Sequence, residues 1–398
     1  MTTRQLKAGY FVLEGLNSAA TSYYFYYLFF YLEKHFGFGN LGNLAFSALN
    51  GFIYIFAAWF GGRFADRRGY YRALTLGFTI MILALGAGAG LSSVTGQILV
   101  MAVWTIGICF TWPTMQALVS EGEDDRTLPR IIGIYNVVWA GTGALSYFLG
   151  GALFETLGEK SLFWLPILIH AVQLLLLAWL YSRSKGRRAR PTELKARISQ
   201  IPEASAFTQP IRPETFLRLA WLANPFAYIA INTVVAVVPE LAKQLHLSPT
   251  MAGFSCSLWF FVRVAMFVAL WLWTGWHYHF AWLAGAFVAL VGSFAALLLI
   301  PNFWVLIGAQ IVFGSAVGLI YYSSLFYSMD LGENKGEHGG LHEAAIGFGI
   351  FLGPAVGAAA LRLLPGQANS GAWAVSGLLL MGLGLLFLVK NRERKPGA

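Results

Sequence analysis

Hydrophobic positions fall in long unbroken blocks of roughly 20 residues, parted by short polar breaks, with little of the alternation that marks a half-buried strand. Blocks of that length suit helices crossing a hydrocarbon core about 30 Å thick, whereas barrel strands alternate over segments of about ten residues. The blocks predict helices over 9–31, 41–62, 71–92, 96–118, 130–154 and 161–182. A second set is predicted over 215–239, 250–274, 279–300, 303–328, 340–363 and 370–390. The expected fold class is an all-α polytopic membrane protein with twelve transmembrane helices. They use nearly the whole chain, so no soluble catalytic domain fits between them.

The polar interval 183–214 begins "RSKGRRARPTELKAR" and holds Pro191, Pro202, Pro210 and Pro213. It divides the helices six and six, giving an N-terminal bundle over 1–182, a cytoplasmic linker over 183–214 and a C-terminal bundle over 215–398. A faint repeat at about 208 residues supports two related, pseudo-symmetric bundles: "AFSALNGFIYIF" from Ala45 lies over "GFSCSLWFFVRV" from Gly253. A pathway is expected between them.

Composition sharpens the class. The chain is 57% hydrophobic, only 11% charged, and carries a formal charge of +9. That charge follows topology: 22 of the 27 Lys and Arg lie at the N-terminus, the even-numbered loops and the C-terminus. Only Lys34, Lys160, Lys243 and Arg362 fall on the other side, and Arg263 lies inside a helix. Basic short loops stay cytoplasmic, so both termini are expected inside and no nucleic-acid partner is expected. Cys109 and Cys256 sit within predicted helices and read as packing residues. Arg4 and Lys7 lead into a first helix too long for a cleaved signal, and the chain lacks an Asn-x-Ser/Thr acceptor, which fits a prokaryotic inner membrane.

One stretch departs from the general scarcity of charge. "GGRFADRRGYYRAL", residues 61–74, gathers Arg63, Asp66, Arg67, Arg68 and Arg72 between two apolar blocks. The pattern Gly62-x-x-x-Asp66-Arg67-x-Gly69-x-x-Arg72 resembles the loop 2–3 signature of the major facilitator superfamily, and it stands between the second and third helices as in that family. Gly62 is expected to let helix two pack closely, against helix eleven, and Gly69 to permit a tight turn. The resemblance implies that Asp66, with Arg67 and Arg72, latches the bundles on the cytoplasmic side in the outward-facing state. Tyr70 and Tyr71 depart from the signature. Helix four lacks the Arg of many proton-coupled members, and helix five lacks the Gly-Pro element of many antiporters. At the repeat offset the loop meets "LWLWTGWHYHF", where the Asp and every Arg are gone, so the charges belong to one bundle only.

The resemblance further implies that helices one, four, seven and ten line a central cavity. Helix one offers Asn17, Thr21 and Tyr24; helix four, Trp112 and Gln116; helix seven, Asn224, Tyr228 and Asn232. Helix ten presents Tyr321, Tyr322 and Ser324, with Tyr322 the expected contact. Such groups suit a neutral polar or amphipathic solute, and each serves equally well in interhelical hydrogen bonding. The run "YYFYYLFFY" covers every face of its helix, so most of it is packing.

Ionisable groups within the membrane are functional candidates by default, since an unpaired charge there costs at least about 2.5 kcal/mol. Arg263 is the sharpest, fitted to bind an anionic group or to pair with a carboxylate. Glu14 is a candidate proton site or the partner of an Arg at the cytoplasmic end. His342 and Glu343 open helix eleven and are candidates for a gate or proton role, although Glu343 also suits a helix N-terminus. His170 is expected to be a satisfied histidine, and His277 and His279 lack the further ligands a metal needs. No cofactor or metal is expected. With no His-Glu-x-x-His or Gly-x-Ser-x-Gly element, an enzyme is disfavoured. The expected function is secondary transport of a small organic solute by alternating access, as a monomer in the bilayer, with protons as coupling partner. Export of amphipathic compounds or lipids, or a sensor without flux, are the alternatives.

Overall fold

A computed structural model describes residues 3–123, 127–184, 213–330 and 335–393, with the side chains of 3, 129, 329–330, 335–344 and 393 outside that description. Helices occupy most of them, and no strand occurs among them. The first half contains α1 (Thr3–Phe36), α2 (Asn40–Arg68), α3 (Tyr70–Gly88), α4 (Val94–Cys109), α5 (Trp112–Ser120), α6 (Leu128–Thr156) and α7 (Ser161–Ser184). The second contains α8 (Pro213–Gln244), α9 (Pro249–Cys256), α10 (Leu258–Leu272), α11 (Phe280–Leu299), α12 (Phe303–Asp330), α13 (Lys335–Leu363) and α14 (Ser370–Glu393). Most of the expected linker, 185–212, lies outside the described residues.

These fourteen helices make twelve spans, because α4–α5 and α9–α10 are each one broken crossing, Val94–Ser120 and Pro249–Leu272. Eleven spans are long and apolar enough to cross a membrane. The twelfth is α1, whose 34 residues reach about 51 Å; its tyrosines and buried polar groups dilute its apolarity.

The two breaks correct the expectation of continuous helices over 96–118 and 250–274, and each has a local cause. Proline stands in the first turn of α5, where it has no N–H to give the preceding turn. Thr111 fills in: its N–H and its hydroxyl both donate to the Ile108 carbonyl, at 2.9 and 2.8 Å. The second break carries no proline. There the Gln310 side chain, from α12, donates to the Ser255 carbonyl at 2.7 Å and accepts from the Trp259 N–H at 3.4 Å. A neighbouring helix thus satisfies the groups that the break releases, as an apolar medium requires.

Helices α1–α7 form one bundle and α8–α14 the other. Between bundles, α2 packs on α13, and α6 packs on α9 and α10. Counted as spans these are pairs 2–11 and 5–8, which exchange when six is added to each number, so the interface has the expected pseudo-twofold symmetry. The approach is tightest toward the end that carries the α1–α2 turn, here called the closed end. Gly51 on α2 meets the backbone of Phe351 on α13, and Gly151 on α6 meets that of Pro249 at the head of α9. One hydroxyl contact crosses the closed end, that of Thr250 on α9 with Glu155 on α6, while the Tyr27 hydroxyl donates to the Tyr147 carbonyl at 2.5 Å within the first bundle. At the opposite, basic end, Leu128 and Ile132 of α6 cluster with Leu325 of α12.

The charged turn between α2 and α3 rests on Gly69, whose φ of 95° is open to glycine and strained for other residues. Its N–H closes the last turn of α2 on the Ala65 carbonyl at 2.8 Å. The close packing expected of Gly62 falls instead on its neighbour. A Cβ at Gly62 would meet nothing within 4 Å among the described residues, whereas one at Gly61 would lie 2.2 Å from the Cys109 carbonyl oxygen. The tight neighbour is therefore α4, in the same bundle, and not helix eleven. Asp66, Arg67 and Arg72 are exposed. Beside them Tyr71, a departure from the signature, shares a 2.7 Å hydroxyl contact with Tyr10. Lys7 donates to the Val119 and Glu121 carbonyls at 3.0 and 3.2 Å and pairs with Glu123, placing a cation at the carbonyl end of α5.

Candidate functional site

Where the bundles separate, midway along α1 and α8, they leave a cavity with about 130 Å³ available to the centres of water molecules. One water needs roughly 10–15 Å³ on that measure, so there is room for a small organic molecule. Both bundles line it. Thr21, Phe25 and Tyr26 come from α1, Asn50 and Tyr54 from α2, Trp104 from α4, Trp112 and Gln116 from α5, and Tyr135 and Trp139 from α6. The second bundle supplies Tyr228 and Asn232 from α8, Phe260 and Arg263 from α10, Tyr321 from α12, and Ile346 and Ile350 from α13. The wall is aromatic with a few amides and hydroxyls, the pattern of a small-molecule pocket.

Six of the ten sequence-derived contact candidates line this cavity: Thr21, Trp112, Gln116, Tyr228, Asn232 and Arg263. The other four do not. Asn17 is fully buried and donates from its amide to the Thr111 hydroxyl at 3.2 Å, pinning α1 to the α4–α5 break. Tyr24 is buried against Trp104 and Phe163, with ring centroids 4.8 and 6.3 Å away. Asn224 is 1% exposed, and neither atom of its amide has a described hydrogen-bond partner. Tyr322 turns toward Phe267 and Trp276, while Tyr321, one residue earlier, faces the cavity. One residue is a 100° rotation on a helix, enough to exchange the two rings.

Arg263 sits among aromatic faces contributed by both bundles. Its guanidinium carbon lies 4.7 Å from the ring centre of Phe260, 4.8 Å from Trp139 and 5.3 Å from Trp259. Trp139 in turn stacks on Tyr321 across the bundle interface, at 5.7 Å. Arg263 is only 5% exposed, its Nε has no hydrogen-bond partner, and no ion pair joins it to a described carboxylate. It is also the one charged residue among the described lining.

Glu14 is fully buried on α1, beside the Tyr135 hydroxyl that also belongs to the cavity wall. His170 is a structural peg: it bonds Gln173 at 2.7 Å, and Gln173 donates to the Leu13 carbonyl at 2.8 Å, tying α7 to α1. His342 and Glu343 lie on α13, but their side chains are outside the described residues. Among the described residues, no group of three or more His, Cys, Asp or Glu is arranged to hold a metal ion. The sequence reading passed over Trp104, Trp139, Tyr26 and Asn50. An aromatic residue in an aromatic-rich helix carries no mark of the face it will take, so only the helix packing reveals these.

Comparison with known proteins gives a consistent result. The model of the Major Facilitator Superfamily matches residues 4–147 and, in an overlapping match, 123–331. The methylenomycin A resistance protein of Bacillus subtilis (strain 168) is 29% identical over 147 residues, 36% of this chain; the chain thus spans 31% of that protein's length. Among solved structures, a bacterial homolog to the human lysosomal transporter Spinster, inward-facing and unoccupied, matches with a TM-score of 0.71 at 15% identity, covering 100% of both chains. The nucleoside transporter NupG matches at 0.69 and 14% identity, over 97% of this chain and 99% of its own. The human organic anion transporter MFSD10 (TETRAN) matches at 0.66 and 17%, over 97% of this chain and 100% of its own. At such identities these likenesses speak for the fold alone.

Proposed function

The chain belongs to the major facilitator superfamily, and from that premise we propose that it is a secondary transporter carrying a small organic solute across the cytoplasmic membrane by alternating access. One observation carries the reading: a cavity lined by both bundles lies beneath an end where the bundles touch backbone to backbone. A solute seated there contacts both bundles at once, so its binding energy differs between their two orientations. That difference is what biases a two-state equilibrium. The Lys and Arg distribution supports an orientation with the closed end outside and both termini in the cytoplasm.

Proton-coupled symport is the form we favour. Glu14 and the solute share Tyr135 as a common wall, so protonation of the carboxyl alters the surface that the solute meets. His342 and Glu343, on the basic-end half of α13, are the second proton-site candidates. Gly62, Asp66, Arg67, Gly69 and Arg72 act as the cytoplasmic latch, engaging when the basic end closes and standing exposed while the outer end is shut. Export of amphipathic compounds is the second reading, favoured by the aromatic cavity wall and by the partial match to a methylenomycin A resistance protein.

Flux into proteoliposomes, measured across a panel of sugars, nucleosides, organic acids and lipophilic cations with and without an imposed pH gradient, tests the proposal. Saturable flux that follows the inward proton gradient supports symport, and saturable flux against it supports export. Folded protein that moves nothing in the panel would leave the sensor reading in its place.

A further inference from the structure

The cavity wall has a chemical bias beyond its general polarity. Three of its residues hold a buried polar atom without a hydrogen-bond partner: Arg263 Nε, Trp104 Nε1 and Trp112 Nε1. All three are N–H donors. None of the orphaned buried acceptors among the described residues belongs to a residue of this wall. Two of the three wall amides already spend their N–H groups within the protein: Asn50 donates to the Thr105 hydroxyl at 3.0 Å, and Asn232 to the Tyr228 carbonyl at 3.0 Å, while Gln116 also lines the wall.

The rings around Arg263 answer part of its need. Cation–π contacts strengthen when desolvated, so three rings offset part of the burial of one charge. They leave the Nε–H of the guanidinium without an acceptor oxygen, however. A buried donor without its hydrogen bond is costly, so the remaining demand is for acceptor oxygens. A carboxylate or a comparable oxyanion supplies two in a plane, the geometry that a guanidinium fork recognises. A second negative charge finds no further cation in the described lining. The aromatic side chains of the wall, among them Phe25, Tyr26 and Tyr54, suit a planar apolar body beside the anionic group.

We propose that the central cavity binds a planar, apolar organic monoanion, with its oxyanion held by Arg263 and by the indole N–H groups of Trp104 and Trp112. This rests on the transporter reading above and names its substrate class. It departs from the neutral solute suggested by the amides and hydroxyls of the sequence, because the unpartnered buried polar atoms of the wall are all donors.

The test compares three probes of one shape, 2-naphthoate, 2-naphthamide and 2-naphthylmethylammonium, titrated calorimetrically into the purified full chain in detergent. The expected result is naphthoate binding at least 10-fold tighter than the amide, and no binding of the ammonium. Arg263→Gln should bring naphthoate to parity with the amide, and Arg263→Lys should keep an intermediate preference because it restores charge without the planar fork. Trp112→Phe keeps the ring and removes one donor; it should lower the acid-over-amide preference severalfold, and it decides the matter should Arg263→Gln fail to fold. Parity of acid and amide in the native protein, absence of naphthoate binding at millimolar concentration, or a preference unmoved by both Arg263→Gln and Trp112→Phe would overturn the proposal. Flux measurements separate it from the transporter reading: saturable amide flux with no preference for the acid retires the anion site alone, and tight acid binding without flux retires transport alone.

Discussion

Gly151 on α6 and Pro249 at the head of α9 touch backbone to backbone: a Cβ built on Gly151 would lie 2.0 Å from the Pro249 carbonyl oxygen. That oxygen belongs to a rigid chain and has no flexible end to swing aside. The closed end therefore depends on the missing side chain, and Gly151→Val should hold the bundles apart there. Spin labels at the exposed positions Thr156 and Gln244 would read the separation. We expect a longer-distance population in the variant, with overpacking worth about 1–3 kcal/mol against closure. An unchanged distance distribution would show that the gate is held elsewhere.

The two adjacent glycines of α2 should respond in opposite ways. Gly61→Ala drives a methyl group into the Cys109 carbonyl of α4, whereas Gly62→Ala enters open space. Thermal unfolding in detergent should show a clear loss for the first. For the second we expect a neutral effect or a gain of up to about 0.5–1 kcal/mol, from the lower backbone entropy of alanine. A larger loss at Gly62 than at Gly61 would contradict this packing.

Gln310 holds the broken eighth span together. Gln310→Leu keeps the volume but leaves the Ser255 carbonyl and the Trp259 N–H unpaired. Each buried group left so costs about 1–3 kcal/mol. The expected outcome is a marked fall in Tm with the cavity residues intact, so any bound solute should still stabilise the variant. A Tm equal to that of the native protein would mean that the break satisfies itself.

Glu14 stands behind the Tyr135 wall of the cavity. If it carries the coupling proton, Glu14→Gln should abolish accumulation driven by a pH gradient while solute exchange between equal pools persists. Equal loss of both activities would assign Glu14 to folding or binding instead.

At the α6–α7 loop, Glu159 pairs with Lys34 and His35 at the end of α1. Burial would raise its carboxyl pKa, but the hydrogen bonds and charges of Lys34 and His35 outweigh that and hold it below the usual carboxylate value. A depressed folded-state pKa means that the stabilisation is complete above the unfolded value of about 4.3 and is lost as pH falls through the lower folded value. Because Lys34 is 66% exposed, solvent screening limits the effect to about 1 kcal/mol at most. Stability measured from pH 6 downward should be flat and then fall below about pH 4, and the fall should be shallower in Glu159→Gln. A loss centred near pH 6 would point to a different group.

Much of the architecture was legible in the sequence. Twelve spans, the six-and-six division and the basic end follow from positions along the chain, because a bilayer demands contiguous apolar blocks and basic loops resist translocation. The Gly69 turn was equally plain, since a tight turn between two helices leaves few residues to choose from. The two helix breaks were not: the second depends on Gln310, more than 50 residues away in sequence and visible only when α12 lies beside it. The cavity was half legible for the same reason. Polarity identified Arg263, Asn232 and Gln116, yet the choice of Tyr321 over Tyr322, and of Gly61 over Gly62, turned on one residue of helical rotation. Asn17 and Asn50 are both buried polar residues in spans, and nothing local distinguishes the one that pins a helix break from the one that faces the cavity. Sequence alone determined what crosses the membrane and in which order, because that is a one-dimensional demand of the solvent. Only the tertiary structure decided what faces what, because rotation and pairing are settled between helices and not within them.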